Sequence, residues 1–184
     1  MKRTLKIVLL VFSLLIVLRG QIFRACVTYI PLERIQLPGN STAFHSVSQP
    51  TPKISSTSSI EQQINQALRY TSQHLHFTTG SSSSNPIQLL QKPAANCIGY
   101  GNFFQHRLEY QLNSADLTSN YELQQWRGKL YFLGWDIHSL FKNPFWKDHD
   151  FNIILDKNSG MRIAVDATLH DYFRIKRVRL QQSK

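Results

Sequence analysis

The chain predicts an α+β fold, and three observations carry that reading. Residues 60–75 place apolar side chains at helical spacing behind a cap signal. A second apolar helix opens on a lone central cysteine, and the C-terminal half alternates β-rich runs with turn residues. The domain so delimited, residues 59–184, has an ordinary size for a single core.

The N-terminus comes first in chain order. Lys2, Arg3 and Lys6 precede an apolar run, Ile7 to Leu18, interrupted by Ser13 and closed by Arg19. A basic lead and an apolar centre are the composition of a secretory signal. The run is shorter than the about 20 residues of a spanning helix, but Arg19 can snorkel and extend it through Phe23. Arg19 to Cys26 offers no small-x-small cleavage pattern, and Phe23 and Arg24 before Cys26 do not suit a lipoprotein site. Residues 1–24 are therefore expected to be an uncleaved signal anchor, with a cleaved signal peptide as the alternative. Basic residues ahead of the run stay cytoplasmic. The expected location is a membrane-anchored domain outside the cytoplasm, or a secreted one if the signal is cleaved.

Residues 25–58 are expected to be linker, partly disordered. Ala25 to Leu37 is mixed and apolar, and residues 38–58 are rich in Ser, Thr, Pro and Gln. Ser59-Ile60-Glu61-Gln62 is a capping-box signal, and Ile60, Ile64, Ala67, Leu68 and Leu75 follow on one helical face. The segment Gly80 to Pro86 ends that unit. Asn96 is an N-cap candidate for a helix over Ile98 to Leu112, in which Tyr100, Phe104 and Leu108 recur at four-residue spacing. A loop around Asn113 to Asn120 and strands near Gln124 to Trp135 come next. The tail Arg174 to Arg179 reads by default as a solvated basic segment, with a final strand carrying a basic face as the alternative.

Between them lies a hairpin. His149 to Leu155 and Met161 to Asp166 are β-rich, and Asp156-Lys157-Asn158-Ser159-Gly160 separates them. Paired positions in an antiparallel hairpin have a constant sum. A loop of Asp156 to Ser159, or of Lys157-Asn158 alone, sets His149 directly opposite Asp166. Opposed residues share a face with Cβ atoms about 4.5–5.5 Å apart, whereas a one-residue slip would separate them.

An imidazole beside a carboxylate acquires a purpose from Cys97. A cysteine in the first turn of a helix sits where free N–H groups and the macrodipole favour negative charge, and a nearby imidazole favours the thiolate further. Cys97 is then the nucleophile, His149 holds and returns the proton, and Asp166 orients the ring. First-turn N–H groups can hold the oxyanion, and Gly99 and Gly101 leave room for a substrate backbone.

Asn96-Cys97-Ile98-Gly99-Tyr100-Gly101, His149-Asp150-Phe151 and Val165-Asp166-Ala167-Thr168 resemble the transglutaminase-like superfamily over roughly residues 60–170. The resemblance implies a papain-like transglutaminase core, with the cysteine at the N-terminus of a helix packed on an antiparallel sheet that carries His and Asp. It also implies acyl transfer or hydrolysis on peptide or protein amides through a thioester. This chain has His149-Asp150-Phe151 where the family often has His-Ala-Trp, and Asp166-Ala167-Thr168 where it often has Asp-Pro-Thr. Asn96, Trp135 and Trp146 are candidate substrate-binding residues, the tryptophans as walls of an acyl groove. The alternative expectation is an inactive module that binds peptide or cell-envelope partners in the same groove.

Other chemistries are excluded. Half of the net charge of +10 lies in residues 1–24, and no nucleic-acid motif accompanies it, so nucleic acid is not an expected partner. His74 and His76 flank one residue with no further ligands at metal-binding spacing, and no cofactor is expected. His138 and His170 could reach the site region but read by default as loop residues, and mid-helix His106 reads as packing. A Cys26–Cys97 disulfide would need the linker to fold back.

Overall fold

The structure is a computed structural model that describes residues 2–36 and 59–181; the linker composition of residues 38–58 lies outside the described residues. Helix α1 (Lys2–Cys26) carries the N-terminal apolar run. Within Thr4–Cys26 a stretch of 18 residues has a mean hydropathy of 2.1, and none of that stretch is buried in the fold. That is long and apolar enough to cross a membrane, a test that signal sequences also meet.

Strand β1 (Val27–Ile35) follows with no intervening loop. The stretch 25–37, read from sequence as the start of a linker, is thus an interior strand. Its β-forming residues Val27, Thr28, Tyr29 and Ile30 become a strand because partners arrive from far along the chain. On one side β4 (Tyr121–Phe132) pairs antiparallel from Val27↔Phe132 to Ile35↔Gln125. On the other, β8 (Arg179–Leu180) pairs parallel at Thr28↔Arg179. Pro31 lacks the N–H that a ladder needs, and the register shifts between Pro31 and Glu33 to accommodate it.

Helix α2 (Ile60–His74) opens on a full capping box, with the Ser59 side chain accepting from the Gln62 N–H and the Gln62 side chain accepting from the Ser59 N–H. Short strands β2 (His76–Phe77) and β3 (Ala94–Ala95) pair in parallel around helix α3 (Pro86–Gln91). Helix α4 (Cys97–Ser114) begins one residue before the expected Ile98, and Asn96 caps it by accepting from the Gly99 N–H at 3.1 Å. Strand β4 turns through Leu133-Gly134, both at positive φ, into β5 (Trp135–Asp136), the geometry of a two-residue hairpin turn. Strands β6 (His149–Asp156) and β7 (Arg162–Val165) precede helix α5 (Ala167–Phe173).

The main sheet has the order β7-β6-β4-β1-β8, with β5 paired to β4. One core cluster lies where α2 and α4 pack beside the sheet, with Ile64, Leu68, Phe103, Phe104, Leu108 and Ile154 buried. A second gathers Val27, Tyr29, Phe151, Ile153, Ala164 and Val178. Neighbouring residues of β6, Ile153 and Ile154, thus serve different clusters, and the strand is buried on both faces. The tail is not simply solvated, since Ile175 and Val178 are buried and β8 closes on β1.

The β6–β7 register differs from expectation by two. Asn152 pairs with Val165 and Leu155 with Arg162, so Asp166 falls opposite Phe151 rather than His149. The cause is Asp156, which stays in the strand while its Oδ1 accepts from the Asn158 and Ser159 N–H groups. That turn moves the loop to Lys157–Gly160. An even shift preserves the face, so His149 and Asp166 remain diagonal neighbours at one end of the sheet.

Gly128 of β4 sits between β1 and His149 of β6. A Cβ there would collide with the Ile30 carbonyl and lie 2.8 Å from the Phe151 ring. Gly128→Ala is expected to destabilise the fold by about 1–3 kcal/mol, read as a lower midpoint in denaturant unfolding.

Candidate active site

Three elements converge at the end of the sheet where β6 begins and β7 ends. His149 is the first residue of β6, Asp166 is the N-cap of α5, and Cys97 opens α4. The α5 helix was not expected from sequence, which ran Asp166 on as strand. Its consequence is direct: the Asp166 carboxylate is fixed by the helix that it caps. Oδ1 accepts from the Leu169 N–H at 3.0 Å. Oδ2 lies 2.7 Å from His149 Nε2 and accepts from the Tyr29 hydroxyl at 2.8 Å. The side chain is only 3% exposed, so these contacts replace its water.

With Nε2 committed to Asp166, the other ring nitrogen of His149 is left over, and Cys97 lies near enough to the ring to influence it and lines the same cleft. Both cysteines are free thiols, and Cys97 is half-buried. Burial by itself disfavours the imidazolium. The Asp166 charge and hydrogen bond, then Cys97, outweigh it and hold His149 well above its ordinary range. Burial likewise disfavours the carboxylate, but His149, the Leu169 N–H and the Tyr29 hydroxyl hold Asp166 below the usual range. Tyr29 is pushed well above its ordinary value by burial and by Asp166, so it stays a donor.

Supporting contacts keep the three elements in place. The Tyr100 hydroxyl of α4 donates to Asp171 Oδ2 at 2.6 Å, tying the cysteine helix to α5. Gln125 donates to the Ile98 carbonyl at 3.2 Å and to Asp150 Oδ2 at 2.9 Å, and Asn152 donates to the Gly101 carbonyl at 3.2 Å. The glycines of α4 serve this packing rather than a substrate. A Cβ on Gly99 would meet Ala95 and the Ser83 carbonyl at 3.0 Å, and one on Gly101 would meet Gln125 at 3.1 Å.

Cys97 and His149 line a cleft of about 320 Å³ with Phe77, His138, Phe145, Trp146, Asp148, Thr168 and Tyr172. Trp146 is therefore a wall residue. Trp135 is not: it is 79% exposed on the β4–β5 turn. Asn96 is not among the lining residues either, and its side-chain oxygen is committed to the Gly99 N–H. His170 lies away from the cleft, 3.0 Å from the Ser72 hydroxyl, and burial with nearby Arg174 pushes it down to about 4.

Two contributors were not assigned to the site from sequence. Tyr29 lay in the supposed linker, although the alternation of Val27 and Tyr29 is a strand signal. His138 was read as a loop residue. Its Nδ1 donates to the Trp146 carbonyl at 2.7 Å, because a carbonyl only accepts. A neutral ring then presents Nε2 as an acceptor, and that atom is buried without a protein partner among the described residues.

No family model, curated protein or solved structure matches this chain.

The charged pair sets a pH window. The stabilisation from His149 is complete below about pH 6.5 and is lost as pH rises through its raised folded value. That from Asp166 is present above about pH 4 and is lost as pH falls through its lowered folded value. Proton NMR is expected to place the His149 midpoint above 6.5, with Asp166→Asn bringing it down; an unmoved midpoint would exclude the carboxylate as the cause. Tyr29→Phe removes one donor to a buried carboxylate and is expected to cost about 1.5–3 kcal/mol of stability, measured by urea unfolding.

Proposed function

We propose that the chain is a membrane-anchored thiol enzyme of the transglutaminase-like kind, performing acyl transfer or hydrolysis on peptide or protein amides. The observation that carries this is the His149 ring held at 2.7 Å by the buried Asp166 carboxylate in the cleft that Cys97 also lines. The order Cys, His, Asp along the chain, and the cysteine at a helix start beside an antiparallel sheet, agree with the papain-like arrangement that the motifs resemble. Phe151, standing where the family often has Trp, packs edge-on against Tyr29 at 5.1 Å between centroids. It therefore supports the residue that orients Asp166.

In this reading the Cys97 thiolate adds to the amide carbonyl carbon, and the N–H groups of Cys97 and Ile98, ahead of the Gly99 N–H that Asn96 already holds, stabilise the oxyanion. As the C–N bond breaks, the His149 imidazolium gives its proton to the departing amine. The thioester so formed is attacked by water or by a second amine. His149 takes a proton from that nucleophile, and Cys97 leaves as thiolate. Asp166 stays ionised throughout and keeps the ring in its working orientation. The aromatic walls Phe77, Phe145 and Trp146 limit water around the thioester.

A chloroacetamide-type thiol probe tests the activated cysteine. Cys97→Ala is expected to reduce labelling to the background of Cys26, and His149→Ala to slow it at least tenfold. Equal labelling of wild type and His149→Ala would overturn the proposal in favour of a peptide-binding module without chemistry. Amide turnover on a peptide library is expected to fall by about two to four orders of magnitude in Asp166→Asn with the fold retained by circular dichroism.

A further inference from the structure

The domain exposes apolar side chains on the side from which α1 leaves it. The Leu133 N–H of the β4–β5 turn donates to the Cys26 carbonyl at 2.8 Å, and Phe132 pairs with Val27. The turn tip is therefore fixed beside the last residue of the apolar helix. Leu133, Trp135 and Leu140 are 64%, 79% and 77% exposed, and with Phe132 and Ile137 they line one continuous groove. A second apolar point lies lower on the helix: Arg19 Nε donates to the Phe173 carbonyl at 2.7 Å, and the Phe173 ring is exposed.

The length of α1 says what covers these residues. Residues 4–18 are all exposed and project clear of the domain. Fifteen helical residues span about 22 Å, whereas the hydrocarbon core of a bilayer is about 30 Å thick. A membrane holding α1 would therefore rise past Arg19 to the level of Phe173 and the turn tip. Cations follow the same rim: Arg19 and Arg174 flank Phe173, and Arg179 pairs with Thr28, two residues beyond Cys26. Apolar tips interspersed with arginines match the chemistry of an anionic lipid surface.

We propose that Phe132, Leu133, Trp135, Leu140 and Phe173 form a second, non-spanning membrane contact that seats the domain in the headgroup layer beside its own anchor. The occupant is the bilayer itself. Tyr172 lies next to Phe173 and lines the cleft, as does His138 within the segment that carries Leu140. The cleft mouth then lies at the membrane surface, and its substrates are amides or acyl donors presented there. The membrane contact rests on α1 lying in a bilayer and is independent of chemistry at Cys97, whereas the class of substrate rests on the proposed function.

The full chain in phosphatidylcholine–phosphatidylglycerol vesicles with brominated acyl chains provides the test. Shallow bromines are expected to quench tryptophan emission more than deep ones, and Trp135→Phe to remove at least half of the quenching. Leu133→Asp/Leu140→Asp is expected to reduce quenching at least twofold while the chain still resists alkaline extraction. A chain that stays in the pellet with Trp135 unquenched would overturn the second contact and leave the anchor standing. A chain that is extracted and unquenched would overturn both. Trp135 protected from lipid quenching but cross-linked to a second copy would overturn the lipid assignment.

Discussion

The buried carboxylate of Asp166 is the constraint on which the rest of the site depends. It takes hydrogen bonds from the Leu169 N–H, the Tyr29 hydroxyl and the His149 ring, and so joins α5, β1 and β6 at one point. A carboxylate this far from water is costly unless every donor is in place. The three donors come from three elements, so their placement and the charge on Asp166 stabilise each other. The raised imidazole and lowered carboxyl are two expressions of that mutual dependence.

Strand β1 gives the same point a mechanical role. It continues α1 without a break, and Tyr29 lies two residues after its start. The Phe23 ring of α1 is 6.4 Å from the Tyr29 ring, which packs in turn on Phe151 and, edge-on, on His149. The apolar helix is thus built into the second core cluster, only a few side chains from the imidazole. An anchor on a flexible linker would leave the orientation of the cleft free, whereas this connection restricts it.

Elements announced by adjacent residues were legible. Ser59 with Gln62, and Asn96 with Gly99, form caps within four residues, and both helices start where those signals place them. The shared face of His149 and Asp166 was also legible, because the turn residues between them fixed the parity of the register. The pairing itself was two residues out, since the Asp156 carboxylate accepts from two N–H groups of the turn, a detail of side-chain geometry. Trp146 and Trp135 looked alike in composition, yet one walls the cleft and the other stands exposed on β5.

By itself the sequence determined the α+β class, the apolar N-terminal helix, the cysteine at a helix start and the hairpin that keeps His149 near Asp166. These follow from contacts between residues close in the chain, where propensity, capping and alternation operate. Only the tertiary structure decided that residues 27–35 are an interior strand, that Tyr29 steadies Asp166, and that His138 faces the cleft. Each of those joins segments far apart in the chain, such as Tyr29 and Asp166 at a separation of 137 residues. Such pairings leave no local periodic signal and exist only once the sheet has closed and its interior has excluded water.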